Sequence, residues 1–327
     1  MSRTRWVLEP AQAYDAIAFV NILTGDPFYV DSGYRADYER YQAHLGPAEK
    51  QALSHLTQRV KVEAHQLIYP LLCLIFSGAD VHTLTDLRRI VQTDEAWQAL
   101  RRAYAARPTA EPAELQAFDD VRADLRVLFD SLHTSGWEQM WTATALPRVR
   151  AYIAEHAEIR SYDVVGADER VLGRRLDVPS LTAYVMAYGS PHGVRVQGWR
   201  FLTDIQYPAP VLIRTALHEL LHPPFPRQGE LDRVLNTLGQ DPYFQRLVQE
   251  HNPAFGYTTA EGLIEEDCAT AVHIYNTEKF GLLGQPAVDY FRKSDDGIHV
   301  LAFLLSGGCW PSPSARRADT RRWSKKP

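Results

Sequence analysis

Through most of the first half of the chain, apolar residues recur three and four positions apart. Segments such as YRADYERYQAHL, PAEKQALSHLTQRVKVEAHQLIYPLL, ELQAFDDVRADLRVLFDSL and PRVRAYIAEHAEI carry that spacing, which is the one-face period of an α-helix. Residues up to about Glu158 therefore read as helices, broken at the turn-like stretches TGDP, LGPAE, FSGAD and RPTAEPAE. No fixed period repeats, so a solenoid of equal units is not expected. The pattern then changes. TAYVMAYG and VRVQGWRFLTDI are rich in β-branched and aromatic residues, SPHG between them suits a hairpin turn, and a weaker strand is expected around ERVLGRRL. Helical spacing returns from Pro208 onward, in RTALHELLH, RQGELDRVLNTL, DPYFQRLVQEH, TTAEGLIEEDCATAVHIYNTEKFG and DDGIHVLAFLLSG. The expectation is an α+β, mainly helical fold. It divides into a helical N-terminal region over residues 1–145, a domain over 146–310 with a small β-sheet, and a basic tail over 311–327 that is expected to be disordered.

Composition narrows the classes of function. A 327-residue chain with 45% hydrophobic and 23% charged residues is long enough for two domains and ordinary for a soluble globular protein. The formal net charge of -5 gives no basic footprint for nucleic acid, and the one basic concentration is the tail ARRADTRRWSKKP. Cys73, Cys268 and Cys309 are odd in number and far apart, which speaks against a disulfide framework or a metal knuckle. The longest apolar run, LIYPLLCLIF, is shorter than the roughly 20 residues of a spanning helix. Glu9, Pro10 and Asp15 interrupt the N-terminal apolar stretch, so no signal peptide is read and the cytoplasm is favoured; an exported chain without its leader would look the same.

Candidate chemistry lies in RTALHELLHPPFP, Arg214 to Pro226. Residues four apart share one face of a helix, so His218 and His222 can present two imidazoles to one ion, with Glu219 beside them as a base. Pro208 and Pro210 can start that helix, and Pro223 and Pro224 end it. Its other residues are nearly all apolar, and buried histidines need partners. Catalytic zinc takes three protein ligands, His₂Glu among them. Glu261, 39 positions beyond His222, is the expected third ligand, and Glu265, one turn later, the carboxylate that orients a histidine. In the competing reading Glu261, Glu265, Glu266 and Asp267 only form a solvated helix face. His273, beyond the glutamates, reads as a core residue before a neighbour of the site, which it becomes if the helix continues, and His192 as an exposed turn residue.

An H-E-x-x-H helix followed by a helix bearing E-G-x-x-E resembles the gluzincin zinc metallopeptidases. The resemblance spans about Thr182 to Phe280. It implies a zincin-like domain holding Zn2+ on His218, His222 and Glu261, supported by Glu265, with Glu219 as general base acting on a peptide or protein substrate. It also implies that a strand before the motif helix, in VRVQGWRFL or TAYVMAYG, pairs with extended substrate. The Gly-x-Met-Glu-Asn strand of the aminopeptidases is missing, Met186 having no acidic partner, so an endopeptidase is the closer fit. The oxyanion donor is expected at His299, with Tyr290 and Tyr275 competing. Two other readings stay open at this level: a zincin-like binding or regulatory protein that holds zinc without turnover, and a helical interaction protein without metal.

Overall fold

The computed structural model describes residues 2–107, 110–222, 229–251, 257 and 259–309. Pro223, Pro224 and the basic tail 311–327 lie outside the described residues. The fold is mainly helical α+β with a small mixed sheet, as the pattern predicts. Two compact units are present: Ser2–Tyr162 with Val178–Thr215, and Asp163–Asp177 with the chain from Ala216 onward.

The sheet belongs to the first unit. Strands Trp6–Pro10 (β1), Leu181–Met186 (β2), Val194–Val196 (β3) and Arg200–Asp204 (β4) lie in the order β1-β2-β4-β3. β1 pairs with β2 and β2 with β4 in parallel, whereas β3 and β4 run antiparallel. Parallel neighbours need a long crossover, and the N-terminal helices are that crossover between β1 and β2. This corrects the division expected at residue 145. The register Trp6↔Leu181 through Pro10↔Val185 stitches the first residues of the chain to the sheet, so sheet and N-terminal helices form one body.

Two further expectations change. ERVLGRRL is not a strand: Val164–Leu172 is a helix, capped by the Asp163 carboxylate on the Gly166 N–H (3.2 Å) and ended by left-handed Gly173 (φ 64°). The hairpin joins β3 to β4 around Gly198 (φ 78°) rather than turning at SPHG. β2, the strand of TAYVMAYG, is paired on both sides, so an extended peptide has no edge there to join; β1 and β3 form the two sheet edges.

Buried carboxylates hold the segment after β2. Asp15 accepts from the N–H groups of Ala187 and Tyr188 (both 2.9 Å) and from Trp141 Nε1 (2.7 Å). Asp204 Oδ2 accepts from Gly189 N (2.7 Å), Ser190 N (3.1 Å) and the Tyr34 hydroxyl (3.0 Å). Four successive amides are thereby satisfied where no sheet partner reaches them, as buried backbone requires. His192 is half-buried against Phe28, Tyr29 and Tyr69 instead of lying exposed, and that burial pushes its pKa down to about 4. The apolar run LIYPLLCLIF becomes the buried helix Ile68–Phe76, and among the described residues no helix is long and apolar enough to cross a membrane.

The second unit is built round one long helix, Ala260–Lys279, capped by the Thr259 hydroxyl on the Gly262 N–H (3.0 Å). Three apolar clusters use different sides of it. Leu263, Ile264 and Cys268 meet Leu235, Phe244 and Leu301; Ala271 and Ile274 meet Ala287, Phe291 and Ala302; Ala269 and Val272 meet Leu221. A helix packed on so many sides is a buried one. Each of its buried polar groups then needs a specific partner.

Candidate metal centre

The motif helix runs Ala209–Glu219, and its last turns tighten. Leu220 N still donates to Ala216 O, four residues back (3.1 Å), but Leu221 N donates to His218 O, three back (2.9 Å). Leu221, 1% exposed, packs on Ala269 and Val272 of the long helix. Ala269 lies three residues after Glu266, about 60° round the long helix and on the face that borders it. The apolar contact therefore lays the histidines over Glu266.

Three donors converge there. His218 Nε2 lies 2.9 Å from His222 Nε2 and 3.1 Å from Glu266 Oε1, and His222 Nε2 lies 3.4 Å from Glu266 Oε2. Ligands about 2.0–2.1 Å from a tetrahedral zinc stand roughly 3.3 Å from one another. The donor types and separations therefore fit that ion, and all three side chains are partly open to solvent. Among the described residues this is the group able to hold a metal ion.

The electrostatics are those of a matched pair. Burial alone would lower the pKa of His218, yet the charge of Glu266 and its hydrogen bond push it up to about 9. Burial alone would raise Glu266, but the charge and hydrogen bond of His218, then the charge of His222, hold its carboxyl well below the usual range. Glu219 follows His218 directly, and its charge also acts on that ring.

Glu266, not Glu261, is the carboxylate brought to the histidines. Five residues of α-helix turn a side chain about 140° away, so the two glutamates cannot serve one face. Glu261 is exposed in the first turn of the long helix, where a carboxylate suits the unsatisfied N–H groups, and it lies over Gly239. Glu265 is half-buried, about 100° round the helix from Glu266, and is not one of the three converging donors.

His299 lies near the centre, tied at both ring nitrogens. Nδ1 is 2.7 Å from Asp267 Oδ1 and Nε2 is 3.0 Å from Asp295 Oδ2, whose other neighbour is the Tyr257 hydroxyl at 2.8 Å. Asp267 also accepts from Leu301 N (3.0 Å). Burial would lower the pKa of His299, but hydrogen bonds to the two carboxylates push it up to about 9. Asp295 reaches the ring from a left-handed backbone (φ 44°), a conformation that Asp tolerates better than most residues. At 3% exposure, with both nitrogens engaged, His299 offers the centre a positive charge rather than an open N–H. Tyr290 is half-buried, its ring 6.2 Å from that of His273, and Lys279 covers the Tyr275 ring.

Sequence reasoning missed two members of this site. His273 is 4% exposed and places Nδ1 3.0 Å from Nδ1 of His218. Asp168 is fully buried and accepts from Asn276 Nδ2 (2.8 Å); burial pushes its carboxyl well above the usual range, and the His218 charge opposes that rise. The signal for His273 was its place seven residues after Glu266, two turns along one face. No comparable signal marked Asp168, far upstream and just before the segment read as a strand. Comparison with protein-family models, curated proteins and solved structures finds no match for this chain.

Proposed function

We propose that the chain is a zinc-dependent peptidase whose ion is held by His218, His222 and Glu266, with Glu219 as the general base. The observation that carries this reading is the convergence of two imidazole nitrogens and one carboxylate within 3.4 Å, next to a glutamate in the H-E-x-x-H spacing. Bound there, zinc supplies Lewis acidity and makes water acidic enough to yield a proton near neutral pH.

The protein's own groups do the rest. Neutral His218 and His222 and ionised Glu266 set one negative charge against the ion and leave a position open for reactants. Glu219 takes a proton from water at its carboxylate and passes it to the departing amine, which avoids releasing an unstable anion. His299, held protonated by Asp267 and Asp295, adds a fixed positive charge that favours negative charge developing nearby. The missing Gly-x-Met-Glu-Asn strand favours cleavage of internal bonds.

The test is digestion of a mixed peptide library by zinc-reconstituted protein. Internal cleavage that stops on chelation and returns with zinc is expected. A fully zinc-loaded protein that cleaves no peptide would reject the peptidase and leave a metal-binding protein.

A further inference from the structure

We infer that His273 is the positioning residue of this centre: it accepts the Nδ1–H of His218 and so commits that ring to ligation through Nε2. The inference rests on the metal reading above. His218 spans two partners, with Nε2 facing Glu266 and His222 and Nδ1 facing His273 Nδ1 at 3.0 Å. An imidazole that ligates through Nε2 is neutral and carries its proton on Nδ1. That N–H points inward, where a donor without an acceptor is expensive. The atom in reach is a ring nitrogen, and two N–H groups cannot face each other at this distance. His273 is therefore the acceptor, neutral, with its own proton on Nε2.

The packing keeps His273 in that role. Its ring stands at 78° to that of His218, with centroids 4.9 Å apart, and Tyr290 packs edge-on against it. Its own carbonyl is anchored by the Thr277 hydroxyl (2.7 Å). Orienting partners of zinc-binding histidines are ordinarily carboxylates, carbonyls or water. A neutral imidazole in that place takes the proton's hydrogen bond without adding negative charge, so Glu266 would remain the one charged group among the three donors.

Zinc affinity, measured by competition with a chromophoric chelator, tests this in wild type, His273→Phe and His273→Gln. Phe keeps the ring volume without an acceptor, and Gln restores an acceptor. The Phe variant is expected to bind zinc about 10- to 100-fold more weakly, with Gln recovering most of the loss. A second readout needs no variant: nitrogen NMR of histidine-labelled, zinc-loaded wild type should place the His218 proton on Nδ1 and the His273 proton on Nε2. Wild-type affinity in the Phe variant, equal losses in Phe and Gln, or a proton on His273 Nδ1 each overturns the inference while the metal centre stands. A wild-type protein that takes up no zinc instead overturns the metal reading and this inference with it.

Discussion

Replacing Glu219 with Gln is expected to leave the zinc content unchanged and to lower turnover about 10²- to 10⁴-fold, the usual contribution of a positioned acid–base group. The substitution keeps the size and hydrogen-bonding reach of the side chain but removes its basicity. Glu219 lies between the histidines in the motif yet is absent from the three converging donors, so on the proposed reading zinc binding does not depend on it. The loss is expected mainly in kcat, since proton transfer belongs to the transition state rather than to binding. Zinc analysis beside steady-state cleavage checks both halves. A Gln variant that turns over at the wild-type rate removes Glu219 from the mechanism, and one that loses zinc makes it part of the metal shell.

His299→Leu is expected to destabilise the second unit by about 3–5 kcal/mol, the cost of removing one partner from a buried ion pair. Asp267 has no exposure and relies on His299 Nδ1 for Oδ1; without the imidazole a buried carboxylate keeps only backbone N–H groups, those of Leu301 and Ala302, and no cation. Asp295 loses a partner in the same step. The double variant with Asp267→Leu should recover much of the loss, because replacing both members of a buried pair with apolar groups is often near neutral. The pH dependence has a definite sign. His299 titrates at about 9 in the fold and near 6.5 when unfolded, so its stabilisation is complete below about pH 6.5 and fades as pH rises through about 9. Urea unfolding across that range should show the decline in wild type and its reduction in His299→Leu. A single variant within 1 kcal/mol of wild type would contradict this account of the cluster.

Local order in the chain was readable where one face of an element is buried and the other is not. The helical segments of the first half and the paired histidines of the motif follow from spacing alone. What escaped was settled at long range. β1 is five residues long and finds its partner at Leu181, so no local pattern distinguished it from the start of a helix. The helix over Val164–Leu172 escaped because ERVLGRRL holds only its last turn, Glu169–Leu172, and then runs past its end at Gly173, while its start is marked by the Asp163 cap that lies outside that stretch. The third donor shows the same difficulty in another form. A helix packed on most sides has no polar face to reveal its phase, and Glu261, Glu265, Glu266 and Asp267 offer several acidic directions. Leu221 packs on Ala269 and Val272, and with that tertiary contact Glu266 and His273 are the residues of the long helix that lie beside His218.

Zinc stoichiometry and affinity of wild type, Glu266→Ala and Glu261→Ala, measured side by side after reconstitution, address the central claim most directly. One zinc per chain in wild type and in Glu261→Ala, with binding lost in Glu266→Ala, is the predicted result. Binding retained in Glu266→Ala, or no zinc in the wild type, would contradict it.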